Sequence, residues 1–472
     1  MSRTPSGIEG LDPLIEGGFP ASSLILVAGT PGTGKTAMGC SFLYHGASDL
    51  GENSVYVSFA ESKATLYQNA AKVGFNFEAL EKAGKFKFLD LISVKKEGIS
   101  PTIDFVLEAM SKPHAKRLFI DSFTALSNGF TDRSEARAFL HSVLSKIVRQ
   151  MGCTTMLAVE IPLGLKSIGT GIEEFVADCV IVLSMRVLNG RAIRQLRLLK
   201  FRGTELSQHQ FVFTLSGGFR VFPPFRFARD FVKKRFIPIP APEGYFSTGS
   251  PHLDRILGGG YARGSNVLFE IGEGVPAEAY QALIGPTIFN FVAQGRPSII
   301  FPSESYSSKL AERDDMAYVG RENFYKIYKI CEQKGVIPEP KSHVVEFEGR
   351  SYEHDLDVRT RLRAKLEEKT GQPSLSVISW NRLEGTYGSE NLVREQTKVL
   401  PRAIELGRLN IYFTKPGVGA IDHLKNGCQY HFVLNAFRGT VLLYGQKPFF
   451  KAYIVEQDVS RGFSEPKLTP IE

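Results

Sequence analysis

Two stretches of this chain lie over one another at a constant offset with no gap. SGIEGLDPLIEGGFPASSLILVAG (residues 6–29) matches TGSPHLDRILGGGYARGSNVLFEI (248–271), with Gly7 on Gly249, Leu11 on Leu253, Asp12 on Asp254, Gly18 on Gly260, Ser23 on Ser265 and Leu26 on Leu268. A repeat of this length implies one domain built twice. The 472 residues are also too many for one ordinary core. The reading is a first domain over 1–225, a linker over 226–245 and a second domain over 246–472. The linker sits in FPPFRFARDFVKKRFIPIPAPEG (222–244), which is rich in Pro, Phe and basic residues and lacks a period.

In the first copy, short apolar runs alternate with helical patterns. SLILVAG (23–29), SVYVSF (54–59), RLFID (117–121) and CTTMLAVE (153–160) read as strands. SEARAFLHSVLSKIVRQM (134–151) reads as one helix with an apolar face. Alternation of this kind predicts an α/β fold, a mostly parallel sheet flanked by helices. Beyond residue 178, DCVIVLSMRV, AIRQLRLLKF, HQFVFTL and GFRVFP follow one another with short turns and predict an antiparallel C-terminal extension.

GTPGTGKT (29–36) follows the first strand and opens a helix, satisfying GxxxxGK[ST] in the context that gives the motif meaning. Backbone N–H groups of such a loop cradle phosphates, and the helix N-terminus adds partial positive charge. Gly29, Thr30, Pro31, Gly32, Thr33, Gly34, Lys35, Thr36 and Ala37 are therefore candidate nucleotide-binding residues. Lys35 is suited to the β- and γ-phosphates and Thr36 to Mg2+, with the strand-end Asp121 as a second metal-side carboxylate. Glu61, after SVYVSF, is a candidate to orient or deprotonate water, although spacing alone equally describes a solvated glutamate.

Taken together, GIEGLDPLIEGGFP, GTPGTGKT, SFLYHGA, VYVSFAES, FIDSFTAL, GIEEFVADCVIVL and LLKFRGTELS resemble the KaiC-type branch of the RecA superfamily of ATPases, in the family's order and over nearly all of the first copy. The resemblance implies tandem RecA-like domains, ATP and Mg2+ as ligands, and slow hydrolysis. It also implies assembly into a homo-oligomeric ring, commonly six-membered. Glu160 would lie near the γ-phosphate. Lys200 and Arg202, in KFRGT, would reach the nucleotide of a neighbouring subunit. Where the family has two adjacent glutamates this chain has Ala60 and Glu61, which bears on turnover more than on binding.

Carried along the same register, Lys35 falls on Ala277, Thr36 on Glu278 and Asp121 near Ser379. Glu304 stands near the position of Glu61. Lys451 and Tyr453 are read as the counterparts of Lys200 and Arg202, and the second FRGT (437–440) as a hairpin, so Arg438 receives no such role. A glutamate where triphosphate would lie is repulsive. The second copy reads as a pseudo-ATPase domain for assembly or partner binding, and autokinase activity is disfavoured. The charged segment 347–373 reads as a helix with a solvated or partner-binding face.

The net charge of +8 permits an anionic partner without specifying one. The alternative function is a RecA/RadA-related accessory ATPase that binds DNA. IPLGLKSIGTGIEE (161–174), where such proteins contact DNA, holds one lysine against two glutamates and is a poor match. RFARDFVKKRF (226–236) is more basic, but a strap with buried phenylalanines and solvated cations explains it better. The five scattered cysteines suit free buried thiols in a reducing compartment, and no apolar run approaches a membrane span, so a cytoplasmic location is expected.

Overall fold

The computed structural model describes residues 2–91, 99–111, 114–124, 133–162 and 176–472. The chain forms two compact units, Met1–Pro224 with Pro470–Glu472, and Phe225–Thr469. Most of the loop 161–174 lies outside the described residues.

The first unit is built on a sheet of nine strands: β1 (Leu24–Gly29), β2 (Ser54–Ser58), β3 (Phe86–Asp90), β4 (Arg117–Asp121), β5 (Thr154–Glu160), β6 (Cys179–Leu188), β7 (Arg191–Phe201), β8 (Gln210–Thr214) and β9 (Arg220–Phe222). Their order is β9-β8-β7-β6-β1-β5-β4-β2-β3. Pairing is parallel from β6 through β1 to β3 and antiparallel from β6 to β9. All six residues of β1 are buried, as a central parallel strand covered on both faces requires. Two apolar clusters fill the two faces, one around Leu24, Leu26 and Ala28, the other around Ile25 and Val27. Helix α1 (Lys35–Ser48) follows β1, and α2 (Lys63–Ala71), capped by Ser62 accepting from the Thr65 N–H, follows β2.

The helix expected over 134–151 changes character part-way. It is α-helical over Arg133–Ser142 and π-helical over Val143–Gln150, with the Met151 N–H donating to the carbonyl of Lys146. Val143, Ile147 and Val148 remain buried, so the apolar face survives the wider turn.

The second unit repeats the plan with ten strands: β10 (Ser265–Ile271), β11 (Ser298–Phe301), β12 (Tyr328–Gln333), β13 (Val344–Phe347), β14 (Leu375–Ser379), β15 (Leu409–Thr414), β16 (Tyr430–Phe437), β17 (Thr440–Lys447), β18 (Tyr453–Asp458) and β19 (Glu465–Pro470). The order β13-β12-β11-β14-β15-β10-β16-β17-β18-β19 is that of the first sheet with one strand added at the parallel edge. Its principal helices here are α3 (Ala277–Ala293), α4 (Tyr352–Thr370) and α5 (Ser389–Glu405). The matched glycines of the repeat have a structural cause. Gly18 and Gly260 both hold positive φ, and a Cβ on either would stand 2.3 or 2.2 Å from a backbone carbonyl oxygen.

Residues 225–244 belong to the second unit and carry no helix or strand. Phe236 is buried against Phe463 and Phe289, Arg229 pairs with Glu278 at 3.2 Å and Lys233 with Asp314 at 2.9 Å. This segment is a strap fastened to its own domain. A cavity of about 700 Å3 lies beneath it, walled by Phe227 and Phe231 and by Tyr280, Ile284 and Ile288 of α3.

Among the described residues no helix is long and apolar enough to cross a membrane. All five cysteines are free and buried. Burial pushes the thiols of Cys153, Cys179 and Cys428 up to about 12 and that of Cys331 to about 11. Thiol titration of the native protein at neutral pH is therefore expected to register almost no reactive cysteine, and all five should react in denaturant. Fast reaction of even one in the native protein would contradict this packing.

Candidate functional site

The parallel register of β1 decides which residues meet. Gly29 pairs with Glu160 of β5 and Leu183 of β6, and Ser58 of β2 pairs with Asp121 of β4. The carboxyl ends of four strands thus open on one edge, where open α/β sheets bind ligands. The turn from β1 into α1 passes through Gly34, whose φ of 105° excludes most side chains. A Cβ on Gly29 would meet the Thr33 hydroxyl at 2.5 Å. The loop is therefore tight and its N–H groups can turn inward.

Within this cradle Thr36 Oγ1 donates to Asp121 Oδ2 at 2.6 Å, and the buried Tyr56 hydroxyl donates to the same oxygen at 2.9 Å. A hydroxyl and a carboxylate converging at the head of the loop are a donor set suited to a hard divalent cation. Lys35 is buried and donates from Nζ to the carbonyls of Gly29 at 2.9 Å and Thr30 at 3.1 Å. Burial lowers its pKa, against the opposing fields of Glu160 and Asp121. Thr33 Oγ1 donates to the Thr30 carbonyl at 2.7 Å.

Glu61 lies beyond β2. Burial raises its pKa, the hydrogen bond from Asn69 of α2 works the other way, and the Asp121 charge adds to the rise. Glu160 ends β5, with its N–H bonded to Thr124 Oγ1 at 2.8 Å. One contact was missed in the sequence reading. Arg194 of β7 donates from Nη1 to the Gly32 carbonyl at 3.0 Å, so the antiparallel extension buttresses the loop. No motif marks it, because only the strand order brings β7 near the loop.

Lys200 and Arg202 stand elsewhere. Lys200 pairs with Val180 and Phe201 with Cys179, whereas the loop end of β1 pairs with Leu183. Arg202 Nη1 approaches Asp178 Oδ1 at 3.4 Å, and the other Asp178 oxygen accepts from the Leu24 N–H at 3.1 Å. Arg202 is thus level with Leu24 at the amino-terminal end of β1, about 16 Å along the strand from Gly29, and Lys200 is level with Leu26, about 10 Å from it, at roughly 3.3 Å per residue.

Residues 4–224 match the family model of the KaiC ATPase. Residues 235–332 match a model described as GvpD basic region 2. Among curated relatives, the circadian clock protein KaiC2 of Synechocystis sp. is 33% identical over 279 residues, covering 57% of this chain and 47% of that protein. The circadian clock oscillator protein KaiC of Synechococcus elongatus is 30% identical over 347 residues, covering 69% of this chain and 63% of that protein. The first unit belongs to the KaiC-like branch of the RecA superfamily. A KaiC-like protein of Pyrococcus horikoshii OT3 is 35% identical, covering 47% of this chain and 99% of that structure with a TM-score of 0.43. The match spans about half of KaiC2 and under two thirds of KaiC.

The same strand register fixes what occupies the KaiC-like site positions in the second unit. Ala277 and Glu278 open α3 as Lys35 and Thr36 open α1, and Ser379 ends β14 as Asp121 ends β4. Pairing of Glu270 with Thr414 puts Lys415 opposite Ile271, so Lys415 stands where Glu160 does. Two expectations need correcting. Phe301 pairs with Ile378 as Val57 pairs with Ile120, so Glu304 corresponds to Ala60, and Ser305 to Glu61. His431 pairs with Lys447 as Val180 pairs with Lys200, each beside a register shift, so Lys447 rather than Lys451 is the counterpart of Lys200. The β16–β17 hairpin is four residues shorter than the β6–β7 hairpin, with 16 residues from His431 to Lys447 against 20 from Val180 to Lys200, so a constant spacing overshoots to Lys451. The FRGT hairpin is as expected, with Arg438 in the turn between β16 and β17.

Replacing Tyr56 with Phe removes a buried donor to Asp121. It should lower the stability of the first unit by about 1.5–3 kcal/mol, the usual worth of a hydrogen bond to a charged group. Urea unfolding followed by fluorescence and far-UV signals measures it.

Proposed function

We propose that the first unit binds ATP with Mg2+ and hydrolyses it slowly, and that the second is a pseudo-ATPase domain serving assembly or partner binding. The observation that carries this reading is the Thr36–Asp121 contact of 2.6 Å at the head of an intact phosphate loop, with no such set at Glu278 and Ser379. Mg2+ held by Thr36 and Asp121 would supply charge neutralisation to the phosphates. Lys35 gives up two carbonyl partners to reach a phosphate, so the loop is ready to exchange internal bonds for a ligand. Glu61, kept basic enough by burial to accept a proton at Oε, positions the attacking water.

Lys200 and Arg202 act in trans. Arg202, level with Leu24 at the amino-terminal end of β1, is too far from Gly29 to serve its own loop, which supports head-to-tail assembly into a ring of identical subunits. The location we infer is cytoplasmic. Binding of DNA through the strap is not favoured, since Arg229 and Lys233 are engaged by Glu278 and Asp314. Autokinase chemistry would require a second competent loop.

The full chain should bind close to one ATP per subunit and Lys35→Ala none. Two sites per chain would end the pseudo-ATPase assignment. Glu61→Gln should retain ATP binding and lose about 100-fold or more in kcat. In the parent protein, activity should fall as pH drops through a pKa lying above the usual glutamate range. A subunit-mixing assay tests the trans role. Lys35→Ala and Arg202→Ala, each inactive alone, should regain partial ATPase activity together, and strictly additive inactivity would refute it.

A further inference from the structure

Outside the nucleotide site, the second unit gathers an excess of arginine between α4 and α5. Ser351 caps α4 by accepting from the His354 N–H, and Gly371 closes it in a left-handed conformation. The helix was expected to present a solvated or partner-binding face, but Asp355 and Arg363 are buried. Arg359, Arg363, Lys398, Arg402 and Arg408 line a cavity of about 490 Å3.

Few carboxylates answer these cations. Glu367 is bound by Arg408 through both oxygens and stands 3.7 Å from Arg363. Arg363 spends its remaining donors on neutral acceptors, Asn410 Oδ1 at 2.9 Å, the Ser374 carbonyl at 3.0 Å and the Ser374 hydroxyl. Burial and the adjacent Arg408 charge pull its pKa down to about 9. Glu395 is engaged by Arg394 and Lys398, and Asp357 by Arg361. Glu353 is exposed at the mouth. Arg359, which lies against Tyr352, and the exposed Arg402 pair with no carboxylate among the described residues. Arg359 and Arg402 line one cavity without carboxylate partners of their own, an arrangement that a bound anion would complete. Planar guanidinium groups converging from two helices match phosphate oxygens in geometry as well as charge.

We propose that the cavity between α4 and α5 is an anion site that binds a small phosphate ester or pyrophosphate carrying at least two phosphate groups, independently of the phosphate loop at Lys35. The volume is that of a small-molecule site and accommodates a mononucleotide. Arg359 and Arg402 take the phosphates from opposite helices, Lys398 assists at the rim, and Arg363 and Arg408 supply field from beneath.

The test uses the full chain carrying Lys35→Ala, which silences the first loop, titrated calorimetrically with pyrophosphate and separately with ADP. One saturable event per chain is expected. Arg359→Gln and Arg402→Glu should each weaken it at least tenfold, while Arg321→Ala, an exposed change outside the cavity, leaves it unchanged. Thermal melts verify that the Arg359 and Arg402 variants remain folded. Tighter binding of ADP than of pyrophosphate identifies a nucleotide, and equal binding identifies the inorganic anion. Absence of saturable binding by either ligand overturns the site, as does binding indifferent to both variants. Binding of only a single-stranded oligonucleotide, lost in Arg402→Glu, overturns it as well.

Discussion

The parallel pairing of β1 with β5 and β6 is the constraint on which both units rest. In a parallel sheet every strand points the same way, so whatever the strand ends carry is delivered to one edge. Gly29, Asp121 and Glu160 are far apart in sequence and meet only because the register aligns them. The apolar strands that enforce this register, buried on both faces, are also the core of the domain. Folding the sheet and assembling the edge are one event.

The second unit shows what happens when the sheet is kept and the edge is altered. Its strand order repeats the first, and its core is as continuous, yet the loop positions hold Ala277, Glu278, Ser379 and Lys415. These positions sit at or just past the strand ends, so the cores beneath them are continuous in both copies. Glu278, at the position of Thr36, holds Arg229 of the strap. A position whose hydroxyl meets Asp121 in one copy fastens the chain to itself in the other.

Most of the fold could be read from the sequence, since strand runs and the repeat are local signals, and the phosphate loop was legible because its glycines and lysine are contiguous. Elsewhere legibility failed for identifiable reasons. The counterpart of Lys200 falls at Lys447 rather than Lys451 because the β16–β17 hairpin is four residues shorter than its equivalent in the first copy, and sequence alone does not show where a hairpin is shortened. Glu304 was set against Glu61 when the pairing of Phe301 sets it against Ala60, a one-residue difference that only a ladder resolves. Arg194 carries no motif, and its contact with Gly32 depends on which strand lies beside β6. The charged face of α4 is solvated at Asp357 and Arg361, as expected, but Arg363 is buried, because charge in a sequence does not reveal burial.

The separation of the phosphate loop from Arg202, at opposite ends of the parallel strands, gives the first domain a polarity. A two-fold dimer joins like surface to like surface and would leave such ends unmatched. An interface that joins one end to the other is heterologous, and each added subunit presents a fresh open end. On the proposed trans role, a linear stack always contains one unserved loop, and a closed cycle contains none. On this geometry, the number of subunits in a complete assembly is set by the angle between successive sheets rather than by any residue at the site.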